Sequence, residues 1–411
     1  MARRKHRRRA SHRPMARRKH RRRASHLTAR IVVTCLVGAT MATAGTVLSR
    51  RDLGTSFQPT YVAQTTTSTS TLPVPAGGSR PHNPVVPAVT TTTVPTSGGS
   101  APSARPSGLV QAADSKAACI TDEPGPTLTK AERNTGYLYN CIETFTDVDK
   151  TWAEWVNPWI AESPGAPFQT WVADDPTHHQ LIDTQNLIPD DEASDPNWTA
   201  ACAAGDFNTY AEEFAAKMVG AGFGYAIIRL GHEMNGDWEN DSLGTTVASW
   251  KLWGQCFAQE VAAMRAVHGA HFLFDWSINA GYRDIPLADF YPGDAYVDIV
   301  GISFYDQSGY PLPAVGSPDR WQALASEPMG LDEVYSFAAQ HHKPLGIPEW
   351  GTVTTQGDDA NYVVHMADFI DGHDIAYEAW FDAGDLKIYP LNPAEDPRSL
   401  AAYKQTVLKG R

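Results

Sequence analysis

The sequence predicts a (β/α)8 TIM barrel over residues 115–411, and three observations lead to this fold class. Short β-rich runs alternate with amphipathic helices along the whole segment. The strand-like runs are apolar throughout, which is typical of parallel strands that are covered by helices. The segment is also long enough for eight β/α units. A doubly wound open sheet is the alternative, but no Gly-rich phosphate-binding fingerprint follows the first strand.

Seven runs are predicted as strands, because they are rich in β-branched and aromatic residues and are bounded by turn formers. They cover residues 136–145, 168–173, 225–230, 271–277, 297–305, 344–350 and 375–381. An eighth strand is expected before residue 225, and residues 174–198 are predicted as a long loop. Two helices are clear from apolar residues at steps of three and four, over 207–219 and 250–267.

The first 48 residues are predicted as an export signal or membrane anchor. Residues 1–30 hold 14 of the 34 Lys and Arg residues and no acid, and they contain the segment "MARRKHRRRASH" twice, so that Met1 and Met15 are both candidate starts. Residues 31–48, "IVVTCLVGATMATAGTVL", carry no charge. A basic flank before an apolar stretch is typical of a signal peptide core or an anchor, and its length leaves both alternatives open.

Residues 49–114 are predicted as a disordered linker, because they are rich in Thr, Pro, Ser and Gly and cannot bury a core. Together with the leader, this linker predicts an extracellular or cell-surface protein, with membrane contact through residues 31–48 if they are uncleaved. Residues 31–411 hold 20 basic and 46 acidic residues, a net charge of −26. This acidic body would repel phosphate, so we expect no nucleic-acid partner, although the basic repeat alone is a weaker alternative. The oligomeric state is left open.

Four cysteines outside the leader predict two disulfides, because an even number of cysteines in an exported chain favours pairing. We favour Cys119 with Cys141 and Cys202 with Cys256, since these are neighbours in sequence, although three pairings are possible. There is no C-x-x-C spacing, and no metal site and no cofactor are predicted.

Polar and charged residues gather where four predicted strands end. They are Glu233 in "YAIIRLGHEMNGDWEN", Glu349 in "PLGIPEWG", and Trp276, Asn279, Tyr305 and Asp306 in two further segments. In a barrel of this kind the carboxyl ends of the strands form the open mouth, where catalysis takes place. Two carboxyl groups across one cleft are what glycosidic bond cleavage needs, while indoles and amides suit sugar faces and hydroxyls. The sequence therefore predicts a polysaccharide substrate.

The two motifs "RLGHEMNGDWEN" and "GIPEWG" resemble family 26 of the glycoside hydrolases, which are β-mannanase-like members of a clan of retaining barrel enzymes. In this family His precedes the acid/base Glu, as His232 precedes Glu233 here, and Asn235 and Trp238 stand in the expected places. The resemblance covers roughly residues 115–411 and is sharp only at the motifs.

The resemblance implies a role for each matching residue. Glu233 is implied as the general acid/base after the fourth strand, and Glu349 as the nucleophile at the end of the seventh. Arg229, His232 and Tyr305 are implied to orient the nucleophile and keep it ionised. The residues implied to line the sugar subsites are Trp238, Trp276, Asn279 and Trp380.

The expected activity is that of a secreted or surface-tethered retaining endo-β-glycanase acting on a polymer of the β-mannan or β-glucan type. For a retaining enzyme the two carboxyl groups are expected to lie about 5–5.5 Å apart, against about 6.5–9.5 Å for an inverting one. The alternative is a catalytically inactive barrel that binds carbohydrate or the cell wall.

Overall fold

Eight parallel strands close into a barrel in sequence order, each pairing with the next and β8 pairing with β1. The structure is a computed structural model that describes residues 117–147, 149–353, 356–382 and 391–411. The closed parallel barrel with its outer helices confirms the predicted (β/α)8 fold. The strands are β1 (Ala117–Thr121), β2 (Cys141–Phe145), β3 (Gln180–Gln185), β4 (Ile227–Leu230), β5 (Leu273–Asn279), β6 (Ile299–Tyr305), β7 (Leu345–Gly351) and β8 (Ile375–Trp380).

The described residues also form ten α-helices, most of which cover the outside of the barrel. They are α1 (Pro126–Thr135), α2 (Trp152–Trp155), α3 (Pro167–Asp174), α4 (Trp198–Ala203), α5 (Asn208–Gly220), α6 (Val247–Ala266), α7 (Arg320–Ala325), α8 (Leu331–Gln340), α9 (Ala360–Gly372) and α10 (Pro397–Gln405). Both helices predicted from sequence are present, as α5 and α6. None of the helices in the described ranges is long and apolar enough to span a membrane.

The prediction for the first third of the barrel is wrong in part. Residues 168–173, predicted as a strand, lie in the helix α3, which begins at Pro167, a residue whose fixed φ suits the first turn of a helix. Residues 174–198, predicted as a loop, contain β3. One further strand was expected before residue 225 without a position, and the structure has two there outside the predicted runs, β3 and β1, of which β1 is the small and weakly apolar "AACIT". The predicted segments 1–30, 31–48 and 49–114 lie outside the described residues.

The strands separate two cores. Alternate side chains of β5 point outward, where Phe274, Trp276 and Ile278 join the large apolar cluster beneath the helices. A second, smaller cluster fills the inside of the barrel and includes Cys119, Cys141, Ile182, Ile227, Ile299, Tyr377 and Ala379. This inner cluster closes the barrel interior and forms an apolar floor below the polar side chains at the strand ends.

Both predicted disulfides are present. Cys119 and Cys141 join β1 to β2 within the floor, with their Cα atoms 4.5 Å apart. Cys202 and Cys256 join α4 to α6 across 54 residues of sequence. Each bridge restricts the unfolded chain and thereby stabilises the folded one.

A buried carboxyl group, Asp275, lies beside the floor. It accepts a short hydrogen bond from the Tyr377 hydroxyl, and its Oδ1 atom has no hydrogen-bond partner among the described residues. Burial raises the pKa of Asp275 to about 7, although the Tyr377 hydroxyl and the Arg229 charge act in the opposite direction. At a pH between the two values, the folded protein therefore keeps a proton on Asp275, whereas the unfolded chain, with an Asp pKa of about 3.9, has released it.

The substitution Asp275→Asn is expected to flatten the pH dependence of stability. Because the pKa of Asp275 is higher in the folded state, its carboxyl group stabilises the folded protein fully below about pH 4. This stabilisation is lost as the pH rises through about 7, at up to about 1.4 kcal/mol per pH unit. Urea unfolding of the parent and the variant between pH 4 and 8 measures the difference in slope. Two parallel stability curves would contradict the pKa assigned to Asp275.

Candidate active site

The guanidinium of Arg229 lies at the centre of the candidate active site and connects five strands. Arg229 belongs to β4, is fully buried, and donates hydrogen bonds to side chains of β2, β5, β6 and β7. Its partners are Glu143 at 3.2 Å, Ser277 at 3.1 Å, Ser303 at 2.7 Å and Glu349 in a short ion pair. Every one of its nitrogens therefore has an acceptor, which a buried cation requires.

Glu349, at the end of β7, is held as a hydrogen-bond acceptor on both oxygens. Arg229 donates to Oε1, and the Tyr305 hydroxyl donates to Oε2 at 2.6 Å. The side chain is almost fully buried. Donors on both oxygens and an adjacent cation favour the ionised form of a carboxyl group. The structure thus places Arg229 and Tyr305 on Glu349, as the sequence predicted.

Glu233 follows β4 in a turn that forces its backbone into the left-handed region, with φ at 49°. Its amide donates to the Ser277 carbonyl at 2.9 Å, which fixes the turn against β5. The carboxyl group accepts hydrogen bonds from Asn279 Nδ2 at 2.9 Å and Trp238 Nε1 at 2.7 Å. Backbone strain of this kind is found at functional sites, where surrounding contacts maintain it.

The pKa of Glu233 is raised above the ordinary value of Glu. Burial is the main cause, and the negative charge of Glu349 raises it further, while Arg229 and the hydrogen bond from Asn279 lower it. The two carboxyl groups thus lie close enough at the mouth of the barrel for the charge of Glu349 to act on Glu233. The surroundings of Glu233 therefore favour its protonated form, while Glu349 accepts hydrogen bonds from Arg229 and Tyr305.

Two neighbours hold the partners of Glu233 in place. Asn235 is fully buried, and its side chain makes two hydrogen bonds to the backbone of Asn279. It donates to the Asn279 carbonyl at 2.7 Å and accepts from the Asn279 amide at 2.8 Å. Gly236 lies under the indole of Trp238, and a Cβ atom at this position would meet ring carbons of that indole at 2.6 Å. Asn235 is thus a supporting residue, and the glycine lets Trp238 fold back towards Glu233.

The sequence-based prediction that Trp276 and Trp380 line the sugar subsites is wrong. Both indoles are fully buried and point away from the barrel axis. Trp276 packs beneath the helices with its ring centroid 5.0 Å from that of Phe290. Trp380 packs against Trp350 and Tyr403, at 4.7 and 4.9 Å between ring centroids.

His232 also differs from its predicted role, because it makes no hydrogen bond to Glu349. Its ring lies edge-on to Phe145, with 5.7 Å between ring centroids, and its Nε2 atom lies 4.0 Å from Glu239 Oε1. Burial, and secondarily the charge of Arg229, hold the pKa of His232 well below its ordinary value, so the imidazole is neutral.

Glu143 and an aromatic wall at the barrel mouth were not predicted from the sequence. Glu143, on β2, is fully buried and accepts from Thr121, Thr184 and Arg229. Burial raises its pKa to about 8; the charge of Arg229 opposes this and that of Glu349 adds to it. The sequence signal for Glu143 is a single acid inside the otherwise apolar run "CIETF".

The aromatic wall consists of Phe145, Tyr305 and Phe381. The ring centroids of Phe145 and Tyr305 each lie 6.0 Å from that of Phe381.

Fold and site together define a (β/α)8 barrel with a pair of buried carboxyl groups in contrasting environments at its mouth. The model of glycosyl hydrolase family 26 matches residues 223–316, a segment that runs through β4 and β6 and includes Glu233 and Tyr305. This match confirms the resemblance of the sequence to that family and supports a glycoside hydrolase. No curated protein matches the chain.

Three solved structures are similar to this chain, and the first of them supports the fold. The GH26 β-mannanase BoMan26A from Bacteroides ovatus is 12% identical, with 70% of this chain and 87% of that chain covered and a TM-score of 0.53. The YdhT protein from Bacillus subtilis is 17% identical, with 71% and 84% covered and a TM-score of 0.49. The catalytic domain of the GH26 endo-β-1,4-mannanase from Bacillus sp. JAMB-750 is 17% identical, with 70% and 85% covered and a TM-score of 0.48.

The substitution Arg229→Met is expected to cost about 3–5 kcal/mol of stability, because it leaves Glu143 and Glu349 buried together without their cation. Arg265→Met is the matched control, since Arg265 pairs with Asp298 at the surface, where an ion pair contributes about 1 kcal/mol or less. Urea unfolding at pH 7 measures both changes. Equal losses in the two variants would contradict the central role of Arg229.

Proposed function

We propose that the protein is a retaining endo-β-glycanase that hydrolyses a β-linked polysaccharide of the mannan or glucan type. The observation that carries this proposal is the contrast between the two carboxyl groups at the ends of β4 and β7. Both carboxyl groups are buried and accept a hydrogen bond on each oxygen. The donors to Glu349 include the Arg229 cation, whereas Asn279 and Trp238, the donors to Glu233, are neutral, and the pKa of Glu233 is raised. A double displacement needs one ionised nucleophile and one protonated acid.

In the first step Glu349 Oε attacks the anomeric carbon while Glu233 gives its proton to the departing glycosidic oxygen. The bond between the anomeric carbon and that oxygen breaks, and the sugar becomes bonded to Glu349. In the second step Glu233, now ionised, takes a proton from water, and the water oxygen attacks the anomeric carbon. The bond to Glu349 breaks, Glu233 is protonated again, and two inversions give net retention.

The coupling between the two carboxyl groups adapts Glu233 to both steps. The charge of Glu349 contributes to the raised pKa of Glu233 in the free protein. That charge disappears when Glu349 forms its bond to the sugar, so the pKa of Glu233 falls after the first step. The same group then serves as a base, as the second step requires.

Aromatic side chains lie beside both carboxyl groups at the mouth of the barrel. The aromatic wall of Phe145, Tyr305 and Phe381 lies beside Glu349, since the Tyr305 hydroxyl bonds to it. Trp238 lies beside Glu233 and contacts Tyr282, with 4.7 Å between ring centroids. Mannan is the first polymer to test, because the similar solved structures include enzymes described as mannanases.

We further propose that the barrel acts outside the cytoplasm. The support is the sequence of the leader, in which the basic residues 1–30 precede the uncharged residues 31–48, and the Thr/Pro/Ser-rich residues 49–114 that follow. Membrane fractionation of the producing cell tests this part: recovery of the protein in the cytoplasmic fraction would contradict it.

The substitutions Glu233→Gln and Glu349→Gln are each expected to lower the release of reducing ends from soluble β-mannan, β-glucan or xylan by at least about 100-fold. Glu378→Gln is the control, because Glu378 is a buried acid of β8 that bonds Trp350 and Arg411 outside the barrel. Proton NMR of the first products is expected to show the β-anomer. Polymer binding without any release of reducing ends would favour the inactive-barrel alternative.

The substitution Trp238→Phe is expected to move the alkaline limb of the kcat/KM profile to higher pH. The indole N–H donates to Glu233 Oε2 and favours its ionised form, so its loss raises the pKa of the acid while the ring is retained. We expect a shift of about half a pH unit to one unit. Tyr282→Phe removes a hydroxyl from the ring that contacts Trp238, and it is expected to leave this limb in place. An alkaline limb that stays at the same pH in Trp238→Phe as in the parent would contradict the role of the Trp238 N–H.

A further inference from the structure

Three potential metal ligands meet at the mouth of the barrel, outside the carboxyl pair. Asp147 follows β2, and His232 and Glu239 belong to the segment after β4. One ligand atom from each of the three lies within 4.8 Å of those of the other two. His232 Nε2 and Glu239 Oε1 are 4.0 Å apart. One imidazole and two carboxylates therefore lie close together.

The imidazole of His232 supplies a second, independent observation. His232 is only 2% exposed, yet neither ring nitrogen makes a hydrogen bond within the described part of the chain. Buried polar groups nearly always have a partner, so a buried imidazole that lacks one calls for a ligand. The ring also packs against Phe145 in a T-shaped contact, which holds it in place. Nε2 therefore points towards Glu239 from a fixed position.

We propose that Asp147, His232 and Glu239 bind a divalent transition-metal ion of the Zn²⁺ type. An imidazole nitrogen favours Zn²⁺ and its neighbours in the first transition row over Ca²⁺ and Mg²⁺, which prefer oxygen ligands alone. Zinc accepts nitrogen and carboxylate ligands at about 2.0–2.2 Å, so tetrahedral neighbours lie about 3.4 Å apart. The separation between His232 and Glu239 is slightly wider than this, and a small rotation of the half-buried Glu239 closes it.

Three protein ligands leave one tetrahedral position for a small oxygen ligand such as water. The ion would lie on the Phe145 side of the cleft, and its ligand His232 immediately precedes Glu233 in the sequence. Its three ligands do not include either carboxyl group of the proposed double displacement. Metal binding and the release of reducing ends are measured separately, so the failure of one proposal is distinguishable from the failure of the other.

Equilibrium dialysis of the untagged full-length protein against Zn²⁺ tests the proposal. Because residues 1–30 contain four histidines, the comparison is between the parent and its variants. Asp147→Asn and Glu239→Gln keep the side-chain shapes and are each expected to lose one equivalent of tightly bound zinc. Asp237→Asn, an exposed carboxylate in the same segment, is the matched control and is expected to keep it. The same zinc stoichiometry in all four proteins would overturn the proposal.

Crystals of the parent soaked in Zn²⁺ provide a measurement that does not depend on variants folding. Anomalous diffraction at the zinc edge is expected to place a peak between Asp147, His232 and Glu239. Visible absorption of bound Co²⁺ is expected to show a four-coordinate spectrum that Glu239→Gln weakens. Zinc peaks found only at other positions would overturn the assignment, even if the parent binds zinc in dialysis.

Discussion

The candidate site depends on one buried positive charge, the guanidinium of Arg229. A cation without access to water is tolerated only when acceptors surround it, and here two carboxyl groups and two serine hydroxyls do so. Those acceptors come from β2, β5, β6 and β7, so satisfying the charge also fixes the relative position of four strands. Arg229 thereby links the stability of the barrel mouth to the ionisation of Glu349.

Side chains along each strand face either the barrel interior or the surrounding helices. On β5, Ser277 faces the interior and accepts from Arg229, whereas the adjacent Trp276 faces the helices. Towards the other end of the interior, the floor with its Cys119–Cys141 disulfide is apolar. Polar groups are therefore concentrated at one end of the interior, where the strand ends can bring catalytic groups together.

Sequence alone predicted the fold, six of the strands and both disulfides, and it placed Glu233 and Glu349 at the ends of two strands, because these features depend on local or repeated sequence patterns. It did not predict β1 or β3, whose polar and small residues suit a barrel interior rather than an apolar run. Glu143 was missed for a related reason. Its partners Thr121, Thr184 and Arg229 are distant in sequence, and only strand pairing brings them together.

The two tryptophan predictions failed because a strand position does not reveal its face. Moving the register by one residue sends a side chain to the opposite side of the sheet. Counting by twos along β7 also fails, since the pairing of β6 with β7 shifts between Gly301 and Ser303 and places both Gly346 and Glu349 towards the interior. The group of Asp147, His232 and Glu239 was not predicted for another reason, because Asp147 is distant in sequence from the segment that holds the other two.

The ionisation of the whole site follows from the need to balance one cation in a medium of low dielectric constant. Arg229 has the opposing charge of Glu349 beside it, so two further ionised carboxyl groups nearby would leave the site with a large negative charge. Burial accordingly raises the pKa of both Glu143 and Glu233. A reaction that neutralises Glu349 frees the Arg229 charge for another carboxylate. Glu233 can then ionise at little electrostatic cost, and this is the state in which a water molecule must be activated.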